Sequence, residues 1–219
     1  MNVAADHSKS GSWLVAGGVI SIIVMALAVL LMAVELQNNL IKEGDFFEVL
    51  AVVGYGLCMA AMLVFWGPMS LRSHWYFYVV MALCAARELD LDKKPFTEGL
   101  LKARQYTGDT VSTPEFMISL ALLIAIVTTC LALIRFETAA FIRGIAARRS
   151  ASIAVLAGLV FAVLSKTIDG LDRKLEPFGV SFSSATNQTF SVLEEVGEMG
   201  IPLMFGIAIY LSSSAGRRA

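Results

Sequence analysis

Long runs of apolar residues without a single charged side chain constrain this chain more than any other feature. Residues 13–34 and 49–71 contain no Asp, Glu, Lys or Arg. Each run is longer than the roughly 20 residues that an α-helix needs to cross the hydrocarbon core of a bilayer. Over the whole chain 57% of residues are hydrophobic and 16% are charged, whereas soluble domains carry about 25% charged residues. We therefore predict a membrane protein built from α-helices.

Six apolar segments follow one another along the 219 residues. They predict an all-α fold, a polytopic membrane helix bundle of about six transmembrane helices. Residues 1–219 then form a single transmembrane domain, because the spans use more than half of the chain. The expected spans are 13–34, 49–71, 73–91, 115–135, 151–169 and 190–214.

Acidic residues collect at those ends of the segments that share one membrane face. Since consecutive spans run in opposite directions, the ends of the first, third and fifth spans and the start of the sixth emerge on the same side. Carboxylates inside a membrane bundle are costly unless they pair, bind an ion or take up a proton. Oxygen ligands without imidazole or thiolate suit a hard cation, Ca²⁺ or Mg²⁺. The predicted metal ligands are Glu35, Glu88, Asp169, Asp172, Glu194 and Glu198.

Helical spacing groups some of these acids. Glu194 and Glu198 are four residues apart, so they share one face of the sixth helix. Ser165, Asp169 and Asp172 are expected to share one face of the fifth helix in the same way. Because lipid is a poor environment for such polar stripes, we expect both to point into the bundle or into water.

Two further pairs of residues are candidates for chemistry. Glu195 and Glu198 are the predicted catalytic residues, since a carboxylate can carry a proton or position water. Lys102 and Arg104 are predicted to bind an anionic head group. They lie in the longest connection, which we expect to form an interfacial lid over the acidic face.

The sequence leaves three functions open for these residues. A divalent cation held by the acids could polarise a lipid or phosphate group and activate water. Alternatively, Arg87 and Lys166 could neutralise the acids, which would make the chain a non-enzymatic membrane subunit or assembly factor. A third function is a proton or cation transport element, because buried Asp and Glu commonly act as relay sites in membrane bundles.

The histidines and cysteines argue against other cofactors. Cys58, Cys84 and Cys130 stand singly in apolar runs, without the paired spacing of a redox or metal site. His7 and His74 are the only histidines. We therefore expect no haem and no zinc. The formal net charge of -1 likewise provides no basic field for nucleic acid.

Basic residues suggest the orientation in the membrane. The connection 136–150 contains Arg143, Arg148 and Arg149 against one acid, and Arg217 and Arg218 lie in the C-terminal tail. Cytoplasmic connections carry an excess of Lys and Arg. Both termini are therefore predicted to be cytoplasmic, with the acidic face outside.

Three segments of the second half carry a resemblance to a known family. They read RELDLDKKPFTEGLLKARQY, LSKTIDGLDRKLEPFG and LEEVGEMGIPLMF. In this order they resemble an uncharacterised family of bacterial multi-pass inner-membrane proteins with RExD, SKxxD and EExxE segments. The resemblance implies the bacterial inner (plasma) membrane and a six-segment layout, and it implies no activity. Membrane lipid and other membrane subunits are the expected partners.

Overall fold

The structure is a computed structural model that describes residues 3–40 and 46–216. It is 81% helical, and the described residues contain no strand. The described part comprises these α-helices: α1 Val3–Leu30, α2 Val34–Leu40, α3 Phe46–Trp66, α4 Ser70–Ser73, α5 Trp75–Glu88, α6 Arg104–Thr107, α7 Thr113–Phe136, α8 Thr138–Ala146, α9 Ser150–Ile168, α10 Leu171–Leu175 and α11 Ser184–Gly216. The predicted all-α class is therefore confirmed.

Four helices are long and apolar enough to cross a membrane. They are α1 from Ser10 to Leu30, and the whole of α3, α7 and α9. Helix α5 has only 14 residues, and the first half of α11 carries three glutamates. The structure thus supports four membrane crossings by length and composition, whereas the predicted count of about six is not confirmed.

Helix α11 lies at the centre of the bundle, where it packs against α1, α3 and α9. The thiol of Cys58 in α3 donates to the carbonyl of Pro202 over 3.3 Å. Further along the same two helices, Trp66 Nε1 donates to Ser212 Oγ over 3.2 Å. Because both contacts advance together along the chain, α3 and α11 run parallel.

Helix α9 runs in the opposite direction to α11 and packs closely against it. Phe205 covers Gly158, and the Ser165 hydroxyl lies against Gly197. A Cβ atom on Gly158 would lie 2.9 Å from the Phe205 ring. Small residues thus let the two backbones approach, which is the usual means of helix packing in membranes.

Alternating helix directions create two distinct ends of the bundle. Trp66 at the end of α3 packs against Phe77 near the start of α5, with ring centroids 5.9 Å apart. Tyr76 stacks on Phe136 at the end of α7, with centroids 6.1 Å apart. We call this the aromatic end. The start of α3, the end of α5 and the end of α9 lie at the opposite end, which we call the acidic end after Glu48, Glu88 and Asp169.

The first predicted span, 13–34, ends earlier than the sequence suggested, and the fifth, 151–169, ends within one residue of its predicted end. Helix α1 stops at Leu30, and the amide of Gln37 closes it by donating to the carbonyls of Leu30 at 3.1 Å and Met32 at 3.0 Å. Helix α9 stops at Ile168, and Gly170 follows in the left-handed region with φ 59°. The chain therefore leaves the helix before the last acids of each predicted segment.

Replacing Gly158 by Val tests the close contact of α9 with α11. The added side chain would overlap the Phe205 ring, so we expect a loss of about 1–3 kcal/mol in stability. The measurement is the Tm of the detergent-solubilised protein. Gly17→Val is the matched control, because a Cβ at Gly17 has no neighbour within 4 Å. Equal Tm values for both variants would contradict this packing.

Candidate functional site

A buried ion pair joins α5 to α11 at the acidic end. Arg87 Nη2 donates to Glu198 Oε1 over 2.7 Å. Arg87 Nη1 also lies 3.6 Å from Glu88 Oε1. The Arg87 guanidinium thus forms ion pairs with two carboxylates. We call Arg87, Glu88 and Glu198, together with the neighbouring Tyr55, the Arg87 site.

The positions of Arg87, Glu88 and Glu198 within their helices affect their energetics. Arg87 and Glu88 occupy the last turn of α5, where a base is favoured by the helix dipole and an acid is not. Glu198 lies one turn before Pro202, which is inside α11. Since proline has no N–H, the Glu198 carbonyl lacks its usual helical donor. The middle of α11 therefore carries an acidic side chain and a freed carbonyl at the same position.

Burial differs sharply among the three charged residues. The side chains of Glu88 and Glu198 are 4% and 10% exposed, whereas that of Arg87 is 44% exposed. The Arg87 site is thus closed on the carboxylate side and open on the guanidinium side. Glu88 Oε1 is buried and makes no hydrogen bond within the described part of the chain.

Tyr55 of α3 completes the buried side of the site. It is 1% exposed and lies within electrostatic range of Arg87, Glu88 and Glu198. It also lies within electrostatic range of Cys84. The site is therefore shared by three helices, α3, α5 and α11.

Further acids surround the site. Glu195 lies within electrostatic range of Glu48, Glu88 and Glu198, and Glu194 lies within range of Arg87. The predicted catalytic residues Glu195 and Glu198 are thus near neighbours. Sequence reasoning missed Glu48 and Tyr55. Glu48 could have been found, because it opens the second span at the same end as the other acids.

The remaining predicted metal ligands make other contacts, although Asp169 lies within electrostatic range of Glu194. Asp169 forms an ion pair with Lys166. Asp172 accepts hydrogen bonds from Phe182 N over 3.1 Å and from Asn187 Nδ2 over 3.4 Å. Glu35 is exposed on α2, and no contact among the described residues joins it to Arg87.

The predicted polar stripe on the fifth helix is wrong. Asp169 follows the end of α9 with an extended ψ of 115°. Asp172 belongs to the separate helix α10. The left-handed turn at Gly170 lies between them, so Ser165, Asp169 and Asp172 do not share one helical face. Ser165 instead faces α11, and its buried hydroxyl has no hydrogen-bond partner in the described residues.

Glu115 fastens the long connection after α5 to the start of α7. It accepts hydrogen bonds from Thr97 N over 2.7 Å and from Gln105 Nε2 over 2.9 Å. Gln105 is fully buried. Lys102 and Arg104 are exposed on this connection. Within the described ranges, no contact brings them to the Arg87 site.

The turn after α5 carries a second, exposed group of charges. Lys93 Nζ donates to Asp90 Oδ1 over 2.9 Å. This hydrogen bond raises the pKa of the Lys93 ammonium above its ordinary value. Lys93 also lies within electrostatic range of Arg87. The connection therefore begins beside the Arg87 site, although the two lysines of this turn pair locally with Asp90.

The described acids are not arranged as a metal site. In residues 3–40 and 46–216, no group of three or more His, Cys, Asp or Glu side chains is arranged to hold a metal ion. Glu88 and Glu198 both lie within ion-pair distance of Arg87. Binding of Ca²⁺ or Mg²⁺ at this end stays a prediction.

Comparisons with family models, with curated proteins and with solved structures find no match to this chain. The resemblance to an uncharacterised inner-membrane family therefore rests on its three sequence segments alone.

Replacing Arg87 by Gln tests the ion pair between α5 and α11. The change leaves Glu88 and Glu198 buried without a cation. Exposed pairs are worth up to roughly 1 kcal/mol, and breaking a buried pair costs about 3–5 kcal/mol. Since Arg87 is 44% exposed, we expect an intermediate loss of about 2–3 kcal/mol, measured as a drop in Tm.

Two controls separate this loss from a general charge effect. Lys93→Gln removes a base from an exposed pair and should change stability by less than about 1 kcal/mol. The double variant R87Q/E198Q removes both partners and should recover part of the loss. If R87Q is as stable as K93Q, the pair does not hold the helices together.

Proposed function

We propose that this chain is a multi-pass protein of the bacterial inner membrane whose Arg87 site binds a cation and serves proton or cation transport. In this proposal α5 and α11 complete six crossings, and the acidic end forms a carboxylate cluster. Both termini face the cytoplasm. The four apolar helices and the alternating helix directions support the membrane location.

Unbalanced buried charge is the observation that carries this proposal. Glu88 is buried, and its Oε1 makes no hydrogen bond among the described residues. The guanidinium nearest to it already donates to Glu198 over 2.7 Å. Burying an ionised carboxylate without full compensation is expensive. A bound cation would supply the missing positive charge.

A proton is the first candidate for that cation. Two neighbouring carboxylates that share one base can hold a proton between them, since like charges at short range oppose full ionisation. Glu88 and Glu198 have this arrangement. Glu195 and Glu198 stay candidates for the side chains that carry the proton onward, because both lie on α11 near Glu88.

A divalent cation is the second candidate. The carboxylates within electrostatic range of Glu88 include those of Glu48, Glu195 and Glu198. Such donors suit Ca²⁺ or Mg²⁺. A metal bound there could polarise a phosphate group of a membrane lipid. In either case the ligand would contact Glu88 Oε1, which lies 3.6 Å from Arg87 Nη1.

Metal titration separates the divalent cation from the proton. The Tm of the detergent-solubilised protein is measured with Ca²⁺ or Mg²⁺ and then with a chelator. Binding at 100 times Kd would stabilise the fold by roughly 2.7 kcal/mol. Glu88→Gln should abolish this shift, whereas the exposed control Glu35→Gln should retain it. A Tm that is unchanged by saturating metal and by chelator excludes the divalent cation.

Proton transport is tested in liposomes that contain the full chain and an internal pH-sensitive dye. An imposed membrane potential should acidify wild-type liposomes faster than empty ones. Glu198→Gln keeps the size of the side chain and removes its charge, so we expect at least a tenfold loss of flux, roughly the effect of one lost proton carrier. Glu35→Gln should conduct like the wild type.

Two outcomes would overturn the transport proposal. One is wild-type liposomes that leak no faster than empty liposomes. The other is a Glu198→Gln protein with normal flux. If neither metal nor protons act at the site and Glu198→Gln only lowers the Tm, the Arg87 site is an ion-pair scaffold and the chain serves as a subunit or assembly factor.

A further inference from the structure

Helix α8 connects two candidate membrane spans at the aromatic end. It has nine residues, from Thr138 to Ala146. Only Glu137 separates it from α7, and residues 147–149 separate it from α9. Since α7 and α9 are both apolar enough to cross a membrane, a short helix between them has to lie at the membrane surface.

Two contacts hold α8 in place. Gly144 is buried on its inner side, where a Cβ atom would lie 2.0 Å from the hydroxyl of Ser152 in α9. Just before α8, Glu137 Oε1 accepts a hydrogen bond from Tyr76 OH over 2.5 Å. Helix α8 is thus fixed to α9 on one side and to the start of α5 on the other. Its outer face has a fixed position relative to the membrane.

The segment from the end of α7 to the start of α9 is basic and lacks compensating acids. Arg135, Arg143, Arg148 and Arg149 are all exposed. In the part of the chain that the structure describes, none of them forms an ion pair. Glu137 is the only acid between residues 135 and 149, and its Oε1 already binds Tyr76. Four arginines therefore present uncompensated positive charge.

Arg148, in the turn after α8, has an unusual backbone conformation. Arg148 has φ 53°, in the left-handed region, where glycine is favoured. The turn is closed by hydrogen bonds from Arg148 N to Ile145 O over 2.9 Å and from Arg149 N to Gly144 O over 2.8 Å. An arginine at a position that suits glycine indicates a use for the side chain rather than for the backbone.

Apolar side chains lie beside the basic ones. Phe136 is 60% exposed and Ile142 is 59% exposed. The guanidinium of Arg135 lies 5.8 Å from the centroid of the Phe136 ring. A surface that alternates exposed apolar and basic side chains suits the boundary between acyl chains and head groups.

We propose that this basic face, formed by Arg135, Arg143, Arg148 and Arg149, binds the phosphate groups of anionic phospholipids. Arginine suits this ligand because its planar guanidinium donates two parallel hydrogen bonds to phosphate oxygens. The head groups of the surrounding bilayer lie at the level of α8. The proposal requires that α7 and α9 cross the membrane, and it does not depend on cation binding at the Arg87 site.

Lipid binding is measured on the full chain in a non-ionic detergent. Dioleoylphosphatidylglycerol is the anionic probe and dioleoylphosphatidylcholine the zwitterionic one, and native mass spectrometry counts the bound lipids. Each base at an anionic surface contributes roughly fivefold in affinity. The double variant R143Q/R149Q should therefore weaken phosphatidylglycerol binding by about 25-fold. Phosphatidylcholine binding should not change.

Matched variants make the result specific. K93Q/K94Q removes the same charge at the opposite end of the bundle, from lysines that pair with Asp90, and should bind lipid like the wild type. R143K/R149K keeps the charge and should retain most of the binding. If R143Q/R149Q does not fold, Arg143→Gln alone should weaken binding by about fivefold.

Three results would overturn the proposal. Wild-type protein could show no preference for the anionic lipid, which would leave the basic face to a soluble acidic partner. R143Q/R149Q could bind phosphatidylglycerol as the wild type does. R143Q/R149Q and K93Q/K94Q could lose equal affinity for phosphatidylglycerol, which would mean that net charge alone controls the binding.

Discussion

The close contact of α11 with α9 is the constraint on which the rest of the structure depends. Gly158 and Gly197 allow Phe205 and Ser165 to lie directly against the opposite helix. Helix α11 also packs against α1 and α3 on the sides that α9 does not cover. In lipid there is no hydrophobic gain from helix association, so this close packing has to supply much of the attraction. Glu198 reaches Arg87 only because α11 occupies the centre.

The Arg87 site shows how a membrane bundle holds several acids at once. Arg87 bonds Glu198 directly and lies close to Glu88, but one guanidinium does not balance the neighbouring glutamates. Burial makes the imbalance costly on the Glu88 side, while the exposed side of Arg87 keeps the site accessible. A site that is fully paired would need no ligand. Glu88 Oε1, which lies 3.6 Å from Arg87 Nη1 and makes no hydrogen bond among the described residues, is the atom at which the proposed cation would bind.

The two ends of the bundle differ in how their charged side chains are buried. At the acidic end, Glu88 and Glu198 are buried and share Arg87 between two helices. At the aromatic end, exposed arginines lie on α8, at the end of α7 and in the turn before α9. Aromatic side chains such as Trp66, Trp75 and Tyr76 surround this second end, as they commonly do where a membrane meets water. The same bundle thus has an enclosed charged site at one end and an exposed basic surface at the other.

The sequence by itself determined the helical class and the four long apolar helices α1, α3, α7 and α9. Uncharged runs leave the backbone no option in lipid except the helix, and alternating directions place Glu88 and Glu198 at the same end. Tertiary structure alone decided the pairing, because 111 residues separate Arg87 from Glu198 and no local rule connects them. It also decided that α9 stops before Asp169, since the turn at Gly170 ends the helix and sends Asp172 away from the site.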